Sequence, residues 1–177
     1  HDHPNLAVFS VMDGHGPFGE HASHFVRSRL HPAVMDHSDK LDTDPKGALI
    51  AALDDVHQSF CSEGTLKSGV DPVVSGTTCV AALFDGRKLH VANVGDSRAI
   101  MGVYDPASKQ VSVVPLTDDH KPQRPDEKAR IERSGALLLT EKEVRGFGDE
   151  SKVYICREKG GDIVYGYVFA GGRGEAN

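Results

Sequence analysis

The chain has 177 residues, of which 38% are hydrophobic, with 19 glycines and no Trp. That length suits one domain with a real core, and the composition is low in apolar residues for a tight globule but far from a disordered profile. A formal net charge of −6 argues against a general nucleic-acid binder, which needs a basic field to neutralise phosphates, while leaving room for one local basic phosphate site.

Leu6 to Met12 is apolar and β-rich and predicts a buried strand running into Asp13. Phe18 to Met35 predicts a helix, because Ala22, Phe25, Val26, Leu30 and Val34 make one apolar face. A second helix is expected from Asp44 to Phe60, with Asp44 as N-cap, Pro45 in the first turn and an inner stripe of Ala48, Ala51, Ala52, Val56 and Phe60. Ser62 to Pro72 is polar and holds Gly64 and Gly69, so it reads as a loop. An antiparallel meander follows: Thr77 to Phe84, a turn at Asp85-Gly86, Lys88 to Val94, a turn at Gly95-Asp96, Ser97 to Val103, then Val111 to Pro115. Glu127 to Ser134 reads as a short charged helix after Pro125, closed by Gly135. From Glu141 onward the periodicity weakens, with short strands expected at Lys152 to Cys156 and Ile163 to Phe169.

Cys61, Cys79 and Cys156 are far apart and odd in number, with neither a disulfide framework nor zinc spacing, so buried or partly buried free thiols are expected. No run is long and apolar enough to span a bilayer, and no signal peptide is visible. The expectation is a monomer without membrane or nucleic-acid partners, in a reducing compartment, cytoplasmic or nuclear.

Phe9-Ser10-Val11-Met12-Asp13-Gly14-His15-Gly16 is the segment richest in chemistry. An apolar run ends on a carboxylate, then on glycines flanking a histidine. Such an end presents oxygen ligands suited to hard divalent cations, beside an imidazole able to move protons near neutral pH. The same residues can also form an ordinary strand-end turn, since Asp-Gly is a common turn dipeptide.

Three segments in order decide between these readings. They are Val8 to Gly16; Ser75-Gly76-Thr77-Thr78 followed by Leu89 to Ala99; and Leu116-Thr117-Asp118-Asp119-His120-Lys121-Pro122 followed by Glu127, Arg130-Ile131 and Gly135. Together they resemble the metal-dependent serine/threonine protein phosphatases of the 2C family, and Gly16-Pro17-Phe18-Gly19 resembles its plant and protist branch. The resemblance implies an α+β fold, a four-layer αββα sandwich with two central antiparallel sheets, here incomplete at both ends. Residues 1–177 would form a single partial catalytic domain, with 141–177 as the family's variable flap.

It also implies hydrolysis of phosphoserine and phosphothreonine in phosphorylated protein substrates, by a water activated by two Mg²⁺ or Mn²⁺ ions. By position, Asp13 would be the bridging metal ligand, the Gly14 carbonyl a second ligand, His15 the catalytic acid at the leaving oxygen, and Asp96 a ligand to a third ion. A turn histidine bonded to backbone is the alternative for His15, and a β-turn residue paired with Arg98 the alternative for Asp96. Arg98 itself reads as a structural partner, and Thr77 and Thr78 as strand residues. Asp118, Asp119, His120 and Lys121 are expected to hold a loop and cap the next helix, and Asp126-Glu127-Lys128 to be a solvated helix start. His1 and His3 could chelate a metal, but an exposed, frayed terminus is the reading expected for them.

The family's phosphate-binding Arg, its earlier acidic ligand and its two later Asp motifs have no match here; Asp149 and Asp162 lie in the wrong context. The chain therefore reads as the middle of a phosphatase domain, with low activity and marginal stability expected for residues 1–177 alone. The competing class is a catalytically inactive pseudophosphatase or phosphoprotein-binding module; an unrelated Mg²⁺-dependent hydrolase would not explain the second and third segments.

Overall fold

A computed structural model describes residues 6–72, 74–148, 153–159 and 162–169; within these, side chains of 64–68, 153–159 and 162–169 are not described. The chain divides into two compact units, His1–Asp119 and His120–Asn177.

In the first unit, strand β1 (Ala7–Val11) is followed by the two-residue β2 (Gly14–His15), helix α1 (Gly19–Asp36), a 3₁₀ turn at Ser38–Lys40 and helix α2 (Pro45–Ser68). Then come β3 (Gly76–Thr77), β4 (Cys79–Phe84), β5 (Leu89–Val94), β6 (Ile100–Asp105) and β7 (Gln110–Pro115). The main sheet has the order β1-β4-β5, antiparallel throughout, with Ser10 opposite Ala81 and Ala81 opposite Ala92. β2 pairs with β3, and β6 with β7.

The apolar stripe expected of α1 is the one that is buried: Ala22, Phe25, Val26, Leu30 and Val34 join Ala48, Leu49, Ala52, Val56 and Phe60 of α2 in one core. Phe25 and Phe60 meet edge to face at 5.4 Å, and the Arg29 guanidinium caps the Phe25 ring at 3.7 Å. Alternate residues of β4, namely Cys79, Ala81 and Leu83, complete the core, so both helices cover one face of the main sheet. Phe9, Val11, Phe84 and Leu89 are exposed apolar residues of that sheet, and β6 and β7 are exposed along their length. Helices on an antiparallel sheet with further apolar strand surface make an α+β fold, in keeping with the expected sandwich.

Three boundaries differ from expectation, each for a local reason. α2 runs through Gly64 to Ser68 instead of ending near Phe60. One glycine inside a helix costs only about 1 kcal/mol, and the stop comes at Gly69, whose φ is +68°. Its N-terminus is as expected, with Asp44 Oδ1 accepting the Gly47 N–H at 2.9 Å. The strand expected from Thr77 is broken at Thr78, and the one expected from Ser97 begins only at Ile100. In both places one backbone bond of the pair remains and a threonine hydroxyl takes the other N–H: Asp13 N–H goes to Thr78 Oγ1 and Ala99 N–H to Thr117 Oγ1.

The second unit contains α3 (Pro125–Arg133), β8 (Leu137–Thr140), α4 (Glu141–Arg145), β9 (Val153–Lys159) and β10 (Asp162–Phe169). The three strands form an antiparallel sheet in the order β10-β9-β8. β8 and α4 were not legible from periodicity, yet Thr140 and Glu143 make a reciprocal capping box that marks the α4 start. Glu127 is not solvated as expected: it is buried and takes Arg130 on both oxygens, with Nε at 3.1 Å and Nη2 at 2.7 Å. α3 starts after Arg124 with no side-chain cap, so residues 118–121 do not cap it. Of the expected 141–177 flap, residues 149–152, 160–161 and 170–177 lie outside the described residues, as do His1 and His3.

Candidate active site

Asp13 lies exposed just beyond the end of β1. Thr78 holds its backbone from both sides: the Asp13 N–H donates to Thr78 Oγ1 at 3.0 Å, and the Thr78 N–H donates to the Asp13 carbonyl at 2.9 Å. Beyond this clamp the chain turns into β2, with Gly14 opposite Thr77 and His15 opposite Gly76. A side chain at Gly14 is impossible without rearrangement, because its Cβ would sit 2.0 Å from the Gly19 carbonyl oxygen at the start of α1. Gly16 has φ +83° and lets the chain reverse; its carbonyl accepts the Gly19 N–H at 3.2 Å. Fully buried Ser75 accepts the Phe18 N–H at 3.0 Å. Strand end, turn and helix start are thus tied to the segment just before β4.

Asp96 follows Gly95, which has φ +99° and lies so close to the Thr78 methyl that a Cβ would come within 2.7 Å of it. Ser97 Oγ meets Thr78 Oγ1 at 2.7 Å. The Asn93 amide donates to the carbonyls of Gly95 at 3.1 Å and Asp118 at 2.9 Å. Arg98 does not pair with Asp96. It forms a two-point pair with Asp119, Nε–Oδ1 at 2.9 Å and Nη2–Oδ2 at 2.8 Å, which fulfils the expected structural role. The Ala99 N–H bonds Thr117 Oγ1 at 2.9 Å. Asp119 and the Asp118 carbonyl therefore hold a loop, as expected.

Among the described residues, no hydrogen bond or ion pair engages the carboxylate of Asp13 or of Asp96. Both carboxylates lie close enough to His15 for their charges to act on it. Burial pulls the His15 pKa below its ordinary value, and the charges of Asp13 and Asp96 oppose that pull without cancelling it. Burial thus works against the protonated ring that an acid role would use.

Asp13, Asp96 and the Gly14 backbone offer oxygen donors of the kind hard cations prefer. Yet among the described residues no three His, Cys, Asp or Glu side chains converge to hold an ion. The donors fit one edge of a metal centre in type, and do not by themselves make up a two-ion site. Sequence reasoning missed Thr78, Ser97 and Ser75, whose hydroxyls organise this edge. The signal was available, since all three lie within the segments that carried the resemblance.

The family model described as protein phosphatase 2C matches residues 2–149, and the chain belongs to that family. "Probable protein phosphatase 2C 35" of Arabidopsis thaliana is 35% identical over 161 residues, which is 90% of this chain and 44% of that protein. Human "Protein phosphatase 1F" is 39% identical over 137 residues, 77% of this chain and 27% of that protein. The chain thus spans less than half the length of these curated relatives. In fold it is similar to the serine-threonine phosphatase 2C of Toxoplasma gondii, with a TM-score of 0.64 and 23% identity over 94% of this chain and 58% of that one.

Proposed function

We propose that this chain is part of the catalytic domain of a metal-dependent phosphatase acting on phosphoserine and phosphothreonine in proteins. The observation that supports it best is the gathering of Asp13, His15 and Asp96 around one clamp, in a chain of this family. In this reading Asp13 and the Gly14 carbonyl are ligands to two Mg²⁺ or Mn²⁺ ions, and Asp96 to a third. Such ions, when bound, stabilise charge in a displacement at phosphorus. The protein's own part is to present the Asp13 carboxylate at the end of β1 and to hold His15 where a proton can reach the leaving oxygen. A monomer in the cytoplasm or nucleus belongs to the same proposal.

The deciding experiment replaces Asp13 by Ala in the intact protein. Metal-dependent hydrolysis of a phosphopeptide should vanish, and unchanged turnover would sink the assignment. For residues 1–177 alone the lack, among the described residues, of a three-ligand group favours slow turnover, and with it the second reading, a module that binds phosphoproteins without hydrolysing them. Robust Mn²⁺-dependent turnover by these residues alone would remove that reading.

A further inference from the structure

The geometry points to Thr78 as a positioning residue that couples the two carboxylate-bearing turns of the site. This rests on the reading of Asp13 and Asp96 as site carboxylates. Thr78 is nearly fully buried and is bound to a residue 65 positions away in one direction and to one 19 positions away in the other. Its backbone and hydroxyl close a two-point ring on Asp13, at 2.9 and 3.0 Å. The same hydroxyl shares a 2.7 Å bond with Ser97, the residue after Asp96. Its methyl occupies the space where a Cβ on Gly95, the residue before Asp96, would have to go.

One side chain thus grips both neighbours of Asp96 and the backbone of Asp13. A hydroxyl can do this because it accepts one bond and still has a proton and a lone pair for another. An isosteric Val would keep the packing at Gly95 but strand the Asp13 N–H and free Ser97. Thr78 lies opposite Asp13 in the register of the strand pairs on either side, but its hydroxyl, in place of its carbonyl, takes the Asp13 N–H. Its hydroxyl touches neither proposed ligand side chain; it acts by fixing the backbone from which each one projects.

The test compares Thr78→Val, Thr78→Ser and Ser97→Ala in the intact protein, by Mn²⁺-dependent phosphopeptide kinetics and by amide hydrogen exchange. Thr78→Val should lower kcat by about tenfold to a hundredfold, with KM changed by less than about threefold, because misplacement acts on the reacting geometry. Thr78→Ser, which restores the hydroxyl, should recover most of kcat. Exchange should speed up in Thr78→Val at residues 13–15 and at 95–97 together, and in Ser97→Ala at 95–97. If Ser fails as badly as Val, restoring the hydroxyl does not restore the site, and the inference falls. It falls also if exchange rises at Asp13 alone. The exchange readout needs no turnover, so it decides the role of Thr78 even if the intact protein proves inactive; inactivity would count against the phosphatase reading only. Should Thr78→Val not fold, unchanged exchange at 95–97 in Ser97→Ala overturns the inference.

Discussion

Gly14→Ala is the substitution whose consequence can be worked most directly from the structure. A Cβ at Gly14 would lie 2.0 Å from the Gly19 carbonyl oxygen and 2.4 Å from its carbon. The oxygen contact falls 1.4 Å short of the 3.4 Å at which ordinary contact begins. Both atoms belong to the backbone, so no rotamer can relieve the collision. Gly14 has no positive φ, so Ala meets no torsional objection and the effect is purely steric. Either the first turn of α1 must retreat or β2 must tilt, and β2 carries His15. Overpacking of this kind costs about 1–3 kcal/mol, and a backbone collision belongs at the upper end, about 3 kcal/mol. A displacement of the order of 1 Å in the site should lower turnover by about a hundredfold. Urea denaturation gives the first quantity, and Mn²⁺-dependent phosphopeptide hydrolysis by the intact protein gives the second. Gly102→Ala is the control, since its Cβ would meet only a Val111 methyl at 3.3 Å, and it should stay within about 0.5 kcal/mol of the parent. Gly14→Ala matching that control in both stability and turnover would refute the reasoning.

Leu30→Ala, at a side chain only 2% exposed between α1 and α2, should cost about 2–5 kcal/mol, seen as a lower urea midpoint at an unchanged denaturant slope. The Glu127 carboxyl is held below its ordinary value first by its bond to Arg130, so its contribution is present above the unfolded pKa near 4.5 and lost as pH falls through the lower folded value. Glu127→Gln should therefore lose about 1 kcal/mol near neutrality, discounted because the Arg130 head faces solvent, and show a flatter decline in stability below about pH 4.5; an unchanged acid limb would contradict this. Burial pushes the Cys79 thiol up to about 11, whereas Cys61 is exposed. Iodoacetamide at pH 8 should alkylate Cys61 and spare Cys79 until the protein is denatured, as read by peptide mass spectrometry.

α1, the start of α2, the main-sheet strands and α3 were readable because each is specified by residues close together: an apolar stripe, an Asp-Pro cap, a β-branched run, a proline start. The thiol pattern was readable only in part, since Cys79 is buried but Cys61, on the outer side of α2, is exposed. The extension of α2 past Gly64, the burial of Glu127 and the short β8 depend on what surrounds them, and local pattern does not carry that. The same division runs through the site. Asp13, Gly14, His15 and Asp96 are candidates because three ordered segments resemble one family, and the structure brings His15 within the field of both carboxylates.

What the sequence determined by itself is the chemistry on offer: an acidic strand end, glycines at two turns, an imidazole, and membership of the phosphatase 2C family. What only tertiary structure decided is which partners those groups have. Arg98 turned to Asp119 rather than Asp96, so that among the described residues the Asp96 carboxylate has no hydrogen bond or ion pair. The Thr78 hydroxyl, in place of its carbonyl, took the Asp13 N–H and met Ser97. The physical reason is that hydrogen bonds and close contacts depend on distances between segments far apart in the chain, and those distances exist only after α1 and α2 have packed on the β1-β4-β5 sheet.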